Sequence, residues 1–300
     1  MTDDVISLRD WYAGGAYADC AGHRIFYRQA QQQAGATGRR VLVCVHGYPT
    51  SSWDWAKLWP ALLTHFDAVV APDMPGFGYS AKPRGHRYRI AEQCDVHEAL
   101  LAQLGYDNVL VLAHDYGDTV AQEWLARHND GAARVRLRGV AFLNGGLFPE
   151  THRARRVQKL LASPLGPALA QLMRRATFDR TFRAIFGAQT PPSRDELDGF
   201  WHLATRDGGK AALARLIGYM AERRQHRDRW VGALQASPVP LRVIDGVDDP
   251  VSGGHMVDRY EALVPDPDTV RLAGLGHYPQ VEAPERVLAA FLPWADEVAA

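Results

Sequence analysis

Asp115 is the first candidate catalytic residue along this 300-residue chain. It lies in the run Val109-Leu-Val-Leu-Ala-His-Asp-Tyr-Gly-Asp118, where an apolar strand passes through a turn into a helix. The small residues Ala113 and Gly117 flank the turn and permit the sharp bend that projects a nucleophile from a strand end. The pattern predicts a nucleophile elbow whose reactive group is a carboxylate. A helix-capping role for Asp115 is the competing interpretation of the turn by itself.

A candidate acid follows much later in the chain, in the segment Val243-Ile-Asp-Gly-Val-Asp-Asp-Pro250. Here a predicted strand ends in Gly-x-x-Asp-Pro, which places Asp249 in the loop where the acid of a catalytic triad would lie. Asp245 and Asp248 are alternatives closer to the strand.

A candidate base occurs in Gly276-His277-Tyr278, after another predicted strand and before the last helix. A histidine oriented by a carboxylate can deprotonate water or a nucleophile. The order of nucleophile, acid and histidine along the chain is that of a hydrolase triad. We therefore predict Asp115, Asp249 and His277 as the catalytic residues.

Backbone amides beside the elbow could stabilise a developing negative charge. The run Val45-His-Gly-Tyr-Pro49 ends the first long strand, and Gly47 lets the backbone turn tightly there. The amides of Tyr48 and Tyr116 are the predicted oxyanion hole. His46 is interpreted as a residue that braces this loop.

An aspartate nucleophile changes the reaction that such a site can perform. A carboxylate is already ionised near neutral pH and needs no base for its attack. Attack on a saturated carbon that bears an epoxide oxygen or a halide leaves an ordinary ester on Asp115. His277, oriented by Asp249, would then activate the water that hydrolyses this ester. Epoxide hydrolysis and dehalogenation are both compatible with these residues.

Residues outside these motifs would decide the leaving group. Tyr219 is the only tyrosine between residues 147 and 232, and it is a candidate donor to the alkoxide of an opening epoxide. Packing between Ile217 and Met220 is an equally good explanation for it. Trp201 and His202 are candidate substrate-binding residues, as donors or as pocket wall.

The elements between these motifs alternate between strand and helix, which predicts an α/β fold with a mostly parallel, doubly wound sheet. A hairpin over residues 17–29 comes first. Predicted strands are 41–45, 68–71, 109–112, 135–143, 241–244 and 269–272, and predicted helices are 53–64, 90–104, 119–127, 255–263 and 284–298. The alternation stops over residues 147–232, which predict a helical cap inserted between the two parts of one core domain, 1–146 and 233–300.

Composition excludes several classes of protein. With 34 basic and 34 acidic residues, the chain has no net charge that would favour nucleic acid. The predicted cap has 16 Lys and Arg against 8 Asp and Glu, a balance interpreted mainly as solvated surface. The three cysteines lack a Cys-x-x-Cys spacing, and no segment is apolar for long enough to span a membrane. We expect a cytoplasmic enzyme without metal or cofactor that binds a small hydrophobic substrate and water, with a homodimer left open.

Several motifs carry a resemblance to known families. The segments His46-Gly-Tyr-Pro49 and His114-Asp-Tyr-Gly117 resemble the epoxide hydrolase and haloalkane dehalogenase branch of the α/β-hydrolase superfamily. The runs 46–55, 114–118, 144–153 and 229–234 are similar to the mesoderm-specific transcript protein family. This resemblance covers nearly the whole chain, and it implies an α/β-hydrolase fold with Asp115 as the alkylated residue.

The resemblance also has departures that bear on the reaction. Epoxide hydrolases of this branch commonly pair two cap tyrosines, and Tyr219 matches only the second of them. Dehalogenases usually have tryptophan after the nucleophile and asparagine after the His-Gly pair, where this chain has Tyr116 and Tyr48. Epoxide hydrolysis is therefore the leading prediction, and dehalogenation is the alternative.

Two hypotheses from other classes compete with these. A ligand receptor could use the same scaffold, since a fold alone does not determine function. Ester hydrolysis with Asp115 as a bystander would need another nucleophile, and Ser80 and Ser252 lack the context of an elbow.

Overall fold

Eight strands form one sheet in the computed structural model, which describes residues 6–31, 40–163 and 165–299. They are β1 (Gly15–Cys20), β2 (His23–Gln31), β3 (Val41–Val45), β4 (Ala68–Pro72), β5 (Asn108–His114), β6 (Arg136–Leu143), β7 (Leu241–Gly246) and β8 (Thr269–Leu272). Their order across the sheet is β1-β2-β4-β3-β5-β6-β7-β8. The pairs β1-β2 and β2-β4 are antiparallel, and all other neighbouring strands are parallel.

Helices cover both faces of this sheet. Those of the described residues are α1 (Leu8–Ala13), α2 (Trp59–His65), α3 (Ile90–Gln103), α4 (Tyr116–Asn129), α5 (Arg156–Leu161), α6 (Gly166–Gln171), α7 (Arg175–Arg183), α8 (Arg194–Thr205), α9 (Gly209–Leu216), α10 (Tyr219–Gln225), α11 (Arg227–Gln235), α12 (Gly254–Leu263), α13 (Pro279–Glu282) and α14 (Pro284–Ala299). The predicted α/β fold with a mostly parallel, doubly wound sheet is confirmed.

Strand β3 shows why apolar runs become the centre of the sheet. Val41, Val43 and Val45 pack into the hydrophobic core that includes α3 and α4, whereas Leu42 and Cys44 pack into the core on the α2 and α14 face. Successive side chains of a strand point to opposite faces, so a strand covered on both sides must be apolar throughout.

The segment predicted as one helix over residues 53–64 is divided in the structure. A short 3-10 turn spans Ser52–Trp55, and α2 begins separately at Trp59. Pro60 lies in the first turn of α2, where its missing N–H leaves no intrahelical hydrogen bond unmade. Helix α1, which precedes the predicted hairpin, was not predicted from the sequence.

Residues 147–232 contain α5 to α10 and most of α11, between β6 and β7. Helix α11 continues to Gln235, so the predicted domain boundary after residue 232 falls within a helix. The Trp230 indole donates to Glu123 of α4 at 2.8 Å, and Asn129 of α4 donates to the carbonyl of Ala233 at 3.2 Å. By its packing α11 is part of the layer beside the sheet.

Two further sequence expectations concern the cysteines and the membrane. Cys20, Cys44 and Cys94 are free thiols buried in the protein. Within the described residues, no helix combines the length and the apolar character needed to cross a bilayer.

Candidate active site

Asp115 occupies a strained turn between β5 and α4. Its backbone has φ 48° and ψ −105°, in a region where a residue with a side chain typically costs about 1–3 kcal/mol. The Asp115 amide donates to the carbonyl of Leu143 on β6 at 3.1 Å. A side chain at position 117 would place its Cβ 2.3 Å from the carbonyl oxygen of Val45, so only glycine fits there. The turn is therefore held tightly against β3 and β6.

His277 lies beside Asp249 at the same edge of the sheet. Their side chains are joined by a hydrogen bond of 2.7 Å between Nδ1 and Oδ2. The Asp249 carboxylate also accepts from the backbone amides of Val251 at 2.7 Å and Ser252 at 3.0 Å. Burial alone would raise the pKa of Asp249, but the charge of His277 and these hydrogen bonds outweigh burial and lower it. Asp249 is therefore the ionised partner of His277.

The two alternative acids lie elsewhere. Asp248 is exposed to solvent, and both carboxyl oxygens of Asp245 are buried with no hydrogen-bond partner among the described residues. Burial, followed by the charge of Asp249, raises the pKa of Asp245 well above its usual value. Of the three candidate acids, Asp249 is the one that contacts His277.

Asn144 supports the acid and was not predicted. Its Nδ2 donates to Asp249 Oδ2 at 3.2 Å and to the carbonyl of Gly246 at 3.0 Å, and its Oδ1 accepts from the Gly246 amide at 2.8 Å. Asn144 has φ 45°, a conformation that asparagine tolerates better than most residues. Its position directly after β6, at the carboxyl edge of the sheet, is the sequence signal that could have identified it.

The imidazole of His277 faces Asp115. Nε2 lies 3.8 Å from Asp115 Oδ1, which is close enough for attraction between charges but too long for a hydrogen bond. Burial alone would lower the pKa of His277, but the charge of Asp249 and its hydrogen bond, together with Asp115, raise the pKa to about 9. The structure thus brings together the three residues predicted as a triad, with His277 protonated at neutral pH.

Replacing Asp249 with Asn should lower the pKa of His277 from about 9 to about 6.5 or less. The charge and the hydrogen bond of Asp249 are the main causes that raise this pKa, and without them burial dominates. Titration of the His277 imidazole by NMR measures the change. An unchanged pKa would show that Asp115, not Asp249, controls the charge of this histidine.

The same ion pair should make folding stability depend on pH. Because the pKa of His277 is about 9 in the folded protein and 6.5 as its ordinary value, its stabilising contribution is complete below about pH 6.5 and disappears as the pH rises through about 9. Urea unfolding of the wild type should show this decline, and the Asp249→Asn variant should lack it. Parallel pH profiles for the two proteins would contradict the expectation.

The predicted oxyanion-hole amides flank Asp115. The Tyr48 amide donates to Asp115 Oδ2 at 3.0 Å. Tyr116 is the first residue of α4, where a backbone N–H has no acceptor inside the helix. His46 accepts at Nε2 from the Met74 amide at 3.0 Å, and burial lowers its pKa to about 3. It is therefore a neutral residue that connects two loops beneath the site.

A cavity of about 710 Å³ opens beside Tyr48 and His277, and Asp115 is not among the residues that line it. His277 and Tyr48 form part of its lining, and Phe178, Phe182 and Leu213 contribute apolar walls. The backbone of His277 donates to the carbonyl of Ile185 at 2.8 Å, so the helical segment contacts the base directly. The volume lies in the range of about 300–1,000 Å³ typical of small-molecule sites.

Tyr219 lies near Asp115 but outside the lining of this cavity. Its side chain is fully buried, and its hydroxyl has no hydrogen-bond partner among the described residues. Its ring centroid is 4.9 Å from that of Tyr116 and 6.3 Å from that of Tyr48. Burial, and then the charge of Asp115, raises the pKa of Tyr219, so the phenol is a neutral donor without an acceptor.

Trp201 and His202 do not line the cavity, contrary to the sequence prediction. The Trp201 ring is half-buried against Phe178, with centroids 5.4 Å apart, and His202 is exposed on α8. Helix α8 directs Leu197, Phe200 and Leu203 inward. Residue 202 is out of phase with these positions in a period of 3.6 residues, so it faces solvent.

Arg223 of α10 is a buried cation beneath the elbow that the sequence did not reveal. Its Nε donates to Thr119 Oγ1 at 2.7 Å, and Nη2 donates to the carbonyl of Asp115 at 3.4 Å. The guanidinium carbon lies 4.6 Å from the centre of the Tyr219 ring. Because Arg223 is one of 16 basic residues in the segment 147–232, nothing in its local sequence distinguishes it.

A separate cluster has the residue types of a metal site. In the described part of the chain, His23, His86 and Glu92 are the group of three potential ligands with closely spaced donor atoms. His23 Nε2 lies 2.9 Å from Glu92 Oε1, and His86 Nε2 lies 2.8 Å from Oε2. These two hydrogen bonds join the three side chains, which are not part of the cavity beside His277.

Comparisons with known proteins identify the family of the chain. The family model of the α/β-hydrolase fold matches residues 40–284. The chain belongs to the α/β-hydrolase family. Within it, the mesoderm-specific transcript homolog protein of Homo sapiens is 39% identical over 295 residues, covering 95% of this chain and 87% of that protein. The resemblance inferred from the motifs is confirmed.

Solved structures of α/β-hydrolases superpose on almost the whole chain. The haloalkane dehalogenase DatA from Agrobacterium tumefaciens C58 has a TM-score of 0.78 at 21% identity, covering 95% of this chain and 97% of its own. The epoxide hydrolase CorEH has a TM-score of 0.75 at 19% identity, and the match covers 93% of this chain and 99% of CorEH. At these identities the likeness concerns the fold.

Proposed function

We propose that this α/β-hydrolase opens epoxides to diols through a covalent ester on Asp115, with His277 and Asp249 completing a catalytic triad. The observation that carries the proposal is the position of the Asp115 carboxylate. One oxygen accepts from the Tyr48 amide at 3.0 Å, and the other faces protonated His277 at 3.8 Å. A carboxylate held in this way has one oxygen oriented by the amide and the other available to attack carbon.

In the first step, Asp115 attacks an epoxide carbon and the carbon–oxygen bond of the ring breaks. The electron pair of that bond remains on the departing oxygen, which then needs a proton. Tyr219 is the proposed donor because its buried hydroxyl has no acceptor and lies in a group of rings around Asp115. Residues 147–232, which carry Tyr219, act in this proposal as a cap that excludes water.

In the second step, His277 removes a proton from water, which attacks the ester carbonyl of Asp115. Esterification removes the negative charge of Asp115, which is one cause of the raised pKa of His277. The pKa of His277 therefore falls once the ester forms, and the residue becomes a base when a base is required. The proton that His277 gives up as its pKa falls restores the phenol of Tyr219. The amides of Tyr48 and Tyr116 stabilise the oxyanion of the tetrahedral intermediate. Its collapse breaks the bond between the ester carbon and the diol oxygen, which takes a proton from the added hydroxyl group, so the diol leaves and the Asp115 carboxylate is restored.

Replacing Tyr219 with Phe should slow epoxide opening by about a hundredfold, since general acids typically contribute about 10²–10⁴ to a rate. The change removes a hydroxyl that has no hydrogen bond to lose, so folding should be little affected. Rapid-quench measurement of the alkylation step gives the rate. Tyr88→Phe is the matched control because Tyr88 is also buried with an unpartnered hydroxyl and lies outside the proposed site.

A substrate panel tests the proposed reaction against its alternatives. Alkyl and aryl epoxides are offered beside haloalkanes with the same carbon chains, and diol and halide are measured. Diol formation that is lost in the Asp115→Asn variant is the expected result. Halide release without diol would replace epoxide hydrolysis by dehalogenation, and binding of ligands without turnover would favour a receptor.

A further inference from the structure

The cavity beside His277 has an unbalanced charge. Arg153, Arg155, Arg156 and Lys210 belong to its lining, which contains no aspartate or glutamate from the residues that the structure describes. The whole chain has no formal net charge, so this excess of positive charge is local. A pocket lined by one sign of charge raises the local concentration of oppositely charged ligands.

The three arginines of this lining have no ion pair within the described part of the chain, whereas four other arginines of the helical segment do, namely Arg175, Arg206, Arg227 and Arg229. Arg175 pairs with Asp179 and Asp198, for example, and Arg227 with Glu150. Lys210 donates to the carbonyl of Met173 at 2.9 Å, which satisfies a hydrogen bond but does not neutralise the charge. The group therefore retains its capacity to bind an anion.

The wall that continues from these arginines is apolar. Along α5, Arg156 is followed by Val157 and Leu161, which are one helical turn apart and both line the cavity. Phe178 and Leu213 extend the apolar surface. One wall therefore changes from charged to apolar along its length, which matches a ligand that has a charged group at one end of a hydrocarbon chain.

We infer that the ligand of this cavity is an anionic amphiphile, with an apolar chain and a terminal carboxylate or phosphate bound by Arg153, Arg155 and Arg156. The inference rests on the proposed function for one point, that this ligand is the substrate whose reacting carbon meets Asp115. Bidentate geometry suits arginine to both kinds of anion. A neutral hydrocarbon epoxide would leave the three cations without a partner.

Binding of dodecanoate, dodecyl phosphate and dodecanol to the wild type tests the anion site without requiring turnover. Calorimetry should show at least one of the two anions binding about tenfold or more tighter than the alcohol, as expected for charge-assisted hydrogen bonds. The tighter anion identifies the headgroup. Added salt should weaken this preference because the side chains of Arg153 and Arg156 are exposed.

The double variant Arg153→Gln/Arg156→Gln should reduce the preference for anions to less than about twofold. Arg174→Gln/Arg180→Gln is the matched control, because it also removes two exposed arginines of the helical segment, but from outside the cavity lining. Equal binding of the anions and the alcohol to the wild type would overturn the inference. So would an equal loss of preference in both double variants.

A second arm compares an epoxide that carries a terminal carboxylate with its methyl ester. The acid should have a kcat/KM about tenfold higher than the ester, mainly because its KM is lower. The Arg153→Gln/Arg156→Gln variant should remove this difference. If neither epoxide reacts but dodecanoate binding still depends on the arginines, the proposed reaction fails and the anion site stands. If both epoxides react equally and binding shows no preference, the reaction stands and the anion site fails.

Discussion

Replacing Asp115 with Asn should reduce turnover of an epoxide by about four to six orders of magnitude, the loss typical when a covalent nucleophile is removed. The amide has nearly the shape of the carboxylate and can still accept from the Tyr48 amide, but it lacks the charge and the nucleophilic oxygen. Steady-state kinetics measures the loss, and circular dichroism verifies the fold. The variant should therefore be folded and almost inactive.

Asp245→Asn is the matched control for this variant. Burial raises the pKa of Asp245, and a protonated carboxyl resembles an amide in size and charge. Asp245 also lies at the carboxyl end of a strand, on β7, but it does not contact His277. Turnover by this control should stay within a few-fold of the wild type.

A single turnover in water labelled with heavy oxygen identifies the nucleophile directly. If water attacks the ester carbonyl of Asp115, one labelled oxygen remains in the carboxylate after the diol leaves. Mass spectrometry of the peptide that contains Asp115 should therefore show the label. Formation of diol with an unlabelled peptide would reject the covalent mechanism, even if the Asn variant were inactive.

Replacing His277 with Gln should separate the two chemical steps and leave the enzyme trapped as an ester. Attack by a carboxylate that is already ionised needs no base, whereas hydrolysis of the ester does. Steady-state turnover should fall by about 10²–10⁴, the range for general bases, while one equivalent of substrate is still consumed. Rapid-quench kinetics should show this burst, and the Asp115 peptide should gain the mass of the substrate.

His97→Gln is a suitable control for loss of a buried histidine. His97 lies on α3, is buried, and has a pKa lowered by burial to about 4. It does not contact Asp115 or Asp249, so this variant should complete both steps without accumulating the ester. Loss of the burst in the His277 variant, with no adduct on Asp115, would mean that His277 is needed before the ester forms.

Local sequence predicted the architecture and the position of the elbow. The near-continuous apolar residues of β3 and β5 indicate buried parallel strands, since a strand covered on both faces cannot alternate with polar residues. The small residue at position 117 marks the contact with the carbonyl of Val45. Such features depend on neighbours a few positions away, which is why periodicity and motif spacing were sufficient.

The helical segment was less predictable because it is defined by packing. Tyr219, Trp201 and His202 were the residues predicted there from the sequence, and of these three the structure places Tyr219 near Asp115. The polar and charged residues of short helices have nearly equal local environments, so sequence does not show which ones face inward. Arg223 illustrates this, since its bond to Thr119 joins residues separated by 104 positions.

The sequence by itself determined that a carboxylate, an acid and a histidine follow three parallel strands in hydrolase order. It did so because the carboxyl ends of parallel strands meet at one edge of a sheet, which makes their order and position readable along the chain. Only the tertiary structure decided that Asp249 pairs with His277, that Asn144 holds Asp249, and that arginines line the cavity. These contacts join segments that are distant in the chain, and packing sets the direction and burial of their side chains.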